Sequence, residues 1–212
     1  MLTIINIKVD NTIIMSYNTP CDIHRGYFFM KNNKIFDMVV CALFAAICCI
    51  FSIITIPIGL VPVSLGILAV VFTAVVLGPV KGLISVVVYL LLGLFLPLFS
   101  GGQTGLSTYA NITGGYVWSY LIVVVVVGLI CKIPTKNKAL EIIVSILACA
   151  VGVAICYACG TIQFMAITKY DLNASLAACV IPFLPFDAIK CVIAGVVGPL
   201  LKIALRKSGY MK

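Results

Sequence analysis

Charge is what this chain lacks most. Of its 212 residues 9% are charged and 63% are hydrophobic, where a soluble domain carries roughly a quarter charged residues. That deficit excludes a water-soluble fold around a single core. The bilayer must be the solvent, and the expected fold class is an all-α integral membrane protein. Alternation of apolar and polar residues over about ten positions is also missing, which argues against a β-barrel. Histidine is all but absent: His24 is the sole one, and it falls in a polar N-terminal stretch where it is expected to be solvated. No GxxxxGK[ST] run occurs, so ATP hydrolysis is not expected of this chain. No metal-ligand cluster or nucleophile–histidine pair accompanies the few acids either. No catalytic residue, metal or cofactor is therefore assigned, and the chain is read as something other than an enzyme.

What is present is basic and apolar. Fourteen Lys and Arg against six acids give a formal charge of +8. The lysines gather just outside apolar runs, as the positive-inside rule requires, so no nucleic-acid partner is inferred. Most of the ten cysteines, Cys41, Cys48, Cys49, Cys149 and Cys191 among them, fall inside apolar runs and read as small polarizable packing residues.

Residues 1–34 form a polar extension, and residues 35–212 are expected to be the membrane domain. Residues 1–29 are expected to be dispensable, since Met30 followed by Lys31, Asn32, Asn33 and Lys34 has the look of a natural beginning. Six transmembrane helices are expected, at about 35–56, 63–79, 82–99, 113–131, 140–165 and 184–205. The second and third are joined only by Gly78-Pro79-Val80-Lys81-Gly82, a tight helical hairpin. With that count, Lys31, Lys34, Lys81, Lys132, Lys136, Lys138, Lys202, Arg206, Lys207 and Lys212 share one side. The opposite loops carry only Lys169 and Asp171, so both termini are expected to be cytoplasmic.

Asp187 and Lys190 then stand inside the last span, near its outer end. A charge at mid-bilayer costs about 2.5–3.5 kcal/mol on insertion scales, so such residues raise a functional question. Pro185 suits the first helical turn, where the helix dipole favours the Asp187 carboxylate, and the i,i+3 spacing puts both side chains on one face. Two readings stay open: a self-satisfied ion pair, or a site binding a polar solute through both groups. The segment Ser100–Tyr116 lies on the same outer face and is rich in glycine, hydroxyls and amides without a charge. Gln103, Asn111, Thr113 and Tyr116 are its candidate ligand-binding residues; Tyr109, Tyr116 and Trp118 bring aromatic surface, and the glycines would let the backbone fold as a lid. In the first span Ala42 and Ala46 place two small residues on one helix face, which suits either an internal seam or a partner interface.

Three segments carry a family resemblance. Val61-Pro62-Val63-Ser64-Leu65 through Leu77-Gly78-Pro79 is similar to a "VPITLQTLAV…LGP" run. Leu91-Leu92-Gly93 through Pro97-Leu98-Phe99-Ser100-Gly101-Gly102, with Thr113-Gly114-Gly115-Tyr116, looks like "LLLG…PVFSGG…PTGGY". Pro182-Phe183-Leu184-Pro185-Phe186-Asp187-Ala188-Ile189-Lys190 is similar to "PFLPGDLLK" and is the most specific. Over roughly residues 35–207 the chain resembles the BioY family, biotin-specific S components of energy-coupling factor (ECF) transporters. The resemblance implies capture of biotin at the outer face of the cell membrane by Asp187 and Lys190, under the glycine-rich loop. It also implies release inside with a transmembrane T component and paired ATPases, the T component meeting Ala42 and Ala46. The sequence departs from the family pattern at Gly66, Ile67, Asn111-Ile112 and Phe186, which bear on fine ligand specificity. The alternatives are an S component for another vitamin, or an integral membrane enzyme using Asp187 as a base.

Overall fold

The computed structural model describes residues 5–9, 12–16, 33–56, 62–100, 102–135 and 137–207. His24, Met30, Lys31, Lys136 and Lys212 lie outside the described residues. The chain divides into two compact units, Met1–Lys31 and Asn32–Lys212. In the first, β1 (Ile5–Val9) pairs antiparallel with β2 (Thr12–Ser16), Ile7 opposite Ile14. That polar stretch therefore contains a regular antiparallel strand pair.

The second unit is helical: α1 (Asn33–Ile53), α2 (Gly66–Phe95), α3 (Leu106–Ala110), α4 (Gly114–Ile130), α5 (Lys138–Thr168), α6 (Leu172–Cys179) and α7 (Leu184–Lys207). Four of these, α1, α2, α5 and α7, are long and apolar enough to cross a membrane; α4 is apolar and 17 residues long. Between α1 and α2 the chain turns through two short antiparallel strands, β3 (Thr55–Ile56) and β4 (Val63–Ser64). Helix α1 thus ends before residue 56 and α2 begins after 63, so the outer ends of the first two expected spans are extended backbone rather than helix.

Helix α2 is not straight. Gly78 has φ 76°, a left-handed conformation that costs glycine little, and Pro79 opens the helical segment beyond it. A Cβ on Gly82 would lie 3.6 Å from the backbone of Thr73 and Ala74, eight or nine residues back along the chain. At the other end, Tyr89 Oη lies 2.6 Å from Ser52 Oγ, and a Cβ on Gly66 would lie 3.1 Å from the same atom. In an uninterrupted helix residues 66 and 89 would be ~35 Å apart. The chain doubles back at Gly78, as the Gly-Pro-Val-Lys-Gly run suggests.

The core is built from β-branched and small residues: Val70, Val71, Ala74 and Val75 of α2, Val123, Val124 and Val127 of α4, and Ala148, Cys149 and Val153 of α5. Close approach of α4 and α5 depends on two glycines. A Cβ on Gly115 would collide with the Cys159 carbonyl, and one on Gly160 with the Tyr116 ring. Helix α7 packs against both α5 and α2. Ion pairs fasten the end that carries the hairpin turn: Lys81 Nζ to Asp37 Oδ1 at 2.6 Å, and Lys202 Nζ to Glu141 Oε1 at 3.6 Å.

Candidate functional site

Asp187 stands in the first turn of α7, its amide already donating to the Phe183 carbonyl at 2.9 Å. Three residues later Lys190 projects from the same face, and both residues are buried, at 6% and 5% exposure. Lys190 Nζ donates to Asp187 Oδ1 at 2.7 Å and to the Ser64 carbonyl of β4 at 2.8 Å. The second carboxylate oxygen, Oδ2, accepts from Tyr157 Oη of α5 at 2.6 Å. The acid and the amine hold each other, so half of the ion-pair reading is correct.

The pair is not sealed in a dry seam, however. Asp187, Lys190, Ser64 and Tyr157 form one wall of a cleft whose space, open mouth included, is about 680 Å³. Ammonium offers three N–H donors and two are engaged; each carboxylate oxygen accepts one bond of the roughly two it can take. One donor and two acceptor positions therefore remain. The floor carries Ser52, Tyr89 and Tyr120, and the apolar walls are Ile67, Phe99, Val117, Val153 and Phe183. Few polar groups converging in a largely apolar concavity is the usual make-up of a small-molecule site.

The segment joining α2 to α4 forms the remaining wall, through Phe99, Ser100, Thr108 and Thr113. Hydrogen bonds tie it to α2 and α5. Phe99 bridges Gln103 and lies on Gly93, where no side chain would fit. Tyr109 Oη donates to the Leu90 carbonyl at 3.0 Å, and Gln163 Nε2 of α5 donates to the carbonyls of Tyr109 and Asn111 at 2.8 and 2.9 Å. Ser100 Oγ is buried with no hydrogen-bond partner, in a residue that lines the cleft.

The candidates from sequence divide accordingly. Asp187, Lys190, Thr113 and Tyr116 line the cleft together, with Tyr116 Oη donating to the Cys179 carbonyl at 3.1 Å. Asn111 and Gln103 do not line it. The Asn111 side chain is turned to its own backbone, Oδ1 accepting from Ile112 N at 2.7 Å, and Gln103 serves the bridge to Phe99. Trp118 faces outward, its ring tilted at 49° against Tyr109 with centroids 4.8 Å apart. Ala42 and Ala46 are exposed on α1, so they are not an internal seam. Sequence reasoning missed Tyr157, Ser64, Ser100 and the floor hydroxyls. Tyr157 follows Cys156, which the structure also places in the cleft. Its register, thirty residues before Asp187 on another helix, gave no local signal.

Long apolar helices around a largely apolar cleft that holds a buried ion pair define a multi-pass membrane protein with a built pocket. The family model described as BioY family matches residues 28–207, and the chain belongs to that family. "Biotin transporter BioY2" of Lactococcus lactis subsp. cremoris is 31% identical over 83% of this chain and 95% of its own length. "Biotin transporter BioY" of Thermotoga maritima is 31% identical over 63% of this chain and 76% of its own. Among solved structures, that of "the S-component for biotin from an ECF-type ABC transporter" superposes with a TM-score of 0.73. It is 28% identical, over 82% of this chain and 94% of the other.

Proposed function

We propose that this chain is the biotin-binding S component of an ECF-type uptake transporter, a transport component and not an enzyme. The observation that carries this reading is the Asp187–Lys190 pair, oriented by Tyr157 and Ser64 yet with spare valences toward the cleft. Biotin supplies what those valences take: ureido N–H groups for a carboxylate and a carbonyl or carboxylate for an ammonium. Its apolar ring and chain suit Phe99, Val117 and Val153. Thr113, Tyr116 and Ser100 add polar contacts from the covering segment, while Gln103 and Asn111 act by shaping it.

In this reading the two halves of α2 cross separately with α1, α4, α5 and α7, giving six spans and cytoplasmic termini in the cell membrane. Residues 35–212 do the work and residues 1–29 are dispensable. The cleft faces outside, and release inside follows reorientation driven by a T component and paired ATPases, with Ala42 and Ala46 facing the T component.

Calorimetry of the purified chain with biotin, against a panel of other vitamins, is the direct test. Tight binding of another vitamin with none of biotin would reassign the cargo. Asp187→Asn and Lys190→Ala should each weaken biotin binding at least 100-fold while the protein still inserts. Removing one member of a buried pair typically costs about 3–5 kcal/mol, so Lys190→Ala should also unfold more easily. The double variant Asp187→Asn with Lys190→Met should regain stability without regaining binding. Normal binding by the double variant would make the pair purely structural.

A further inference from the structure

A second cleft opens at the other end of the bundle. Asp187 and Lys202 are both on α7, fifteen residues apart, which is about 22 Å along the axis. The walls near Lys202 are the hairpin turn at Gly78–Lys81, the α4–α5 connection at Cys131–Thr135, and Glu141 of α5. The space between them, open mouth included, is about 1150 Å³.

Three lysines, Lys81, Lys132 and Lys202, face this cleft against one carboxylate, Glu141. Lys81 is committed to Asp37 at 2.6 Å. Lys202 is only loosely held, 3.6 Å from Glu141 Oε1 and 3.1 Å from the Cys131 carbonyl it donates to. Lys132 is exposed and has no partner among the described residues. Two ammonium groups thus retain donors for an anion. The rim supplies the second clue: Val80 and Ile133 line the same cleft and are 70% and 59% exposed. A soluble anion would use the lysines alone; an amphiphile with an anionic head would use both surfaces. Basic clefts between membrane helices at the cytoplasmic level suit such headgroups.

We propose that this cleft is a binding site for the phosphodiester headgroup of an anionic phospholipid. Lys132 and Lys202 hold the phosphate, and the acyl chains run over Val80 and Ile133. The site is separate from the Asp187 cleft and independent of what that cleft binds.

The test uses the full-length chain in neutral detergent, with phosphatidylglycerol, phosphatidylcholine of the same acyl chains, and glycerol 3-phosphate as a phosphate control without acyl chains. Retained lipid is counted by native mass spectrometry and protection by the thermal midpoint. Phosphatidylglycerol should be retained and protective, and Lys132→Gln should require at least fivefold more of it. Lys138→Gln, an exposed lysine outside the cleft walls, should behave as wild type. Equal loss in the two variants would mean diffuse attraction and overturn the site. Equal protection by phosphatidylcholine, or by glycerol 3-phosphate alone, would overturn the lipid assignment.

Discussion

Ser100 shows how a single hydroxyl can report a missing partner. Its Oγ is buried without a hydrogen bond, an arrangement that costs about 1–3 kcal/mol unless something supplies the bond. Ser175 Oγ is in the same condition but does not line the cleft. Replacing either by alanine removes an unsatisfied group and should leave the empty protein equally or more stable. Their ligand responses should differ. Ser100→Ala is expected to weaken biotin binding about 3–10-fold by calorimetry, from loss of one neutral hydrogen bond, and Ser175→Ala to leave it unchanged. Equal affinities would mean that Ser100 faces the cleft without using it. Asp187 and Lys190 were legible in the sequence because charge is expensive in an apolar span. Ser100 was not, since a serine in a glycine-rich stretch carries no such cost and its burial depends on Phe99 folding back onto Gly93.

At the scale of elements, the segment from Phe99 to Thr113 was readable by composition, its glycines suggesting a lid, whereas the bonds that tie it to α2 and α5 join residues far apart in the chain. Gln163 is the decisive clamp, because one amide on α5 holds two backbone carbonyls of the cover. Two hydrogen bonds at about 0.5–1.5 kcal/mol each make the loss of this clamp measurable. Gln163→Ala should raise the rate of biotin release about tenfold in a chase with unlabelled ligand, while association changes less than threefold. Equal changes in both rates would argue that the cover does not move during release. The α2 hairpin was legible for the opposite reason. Gly78-Pro79 is a local signal, its positive φ and helix-starting proline needing no distant partner. The bond from Lys190 to the Ser64 carbonyl of β4 joins positions 126 residues apart, and no periodicity announces such a pairing.

For the whole molecule, the two faces of α1 differ, one packed into the bundle and the other turned outward. Cys41, Phe44, Ala45, Cys48 and Ser52 are buried against the bundle, and Ser52 continues into the cleft floor. Met38, Val39, Ala42, Leu43, Ala46 and Ile50 are exposed on the other side. Lipid tails are as apolar as leucine, so this outer face gains nothing from hiding; small residues there matter by admitting another helix backbone close by. The sequence could show that Ala42 and Ala46 share a face, but only the packing of α1 on α2 shows that this face is turned away from the bundle. Enlarging both alanines to leucine therefore adds bulk outside the fold, with no buried contact to disturb. The purified Ala42→Leu, Ala46→Leu variant should bind biotin within twofold of wild type. Reconstituted with a T component and its ATPases, it should lose at least tenfold in uptake and fail to co-purify with the T component. Uptake at the wild-type level would leave that face to lipid, and weakened binding with intact co-purification would place the alanines in the ligand's service instead.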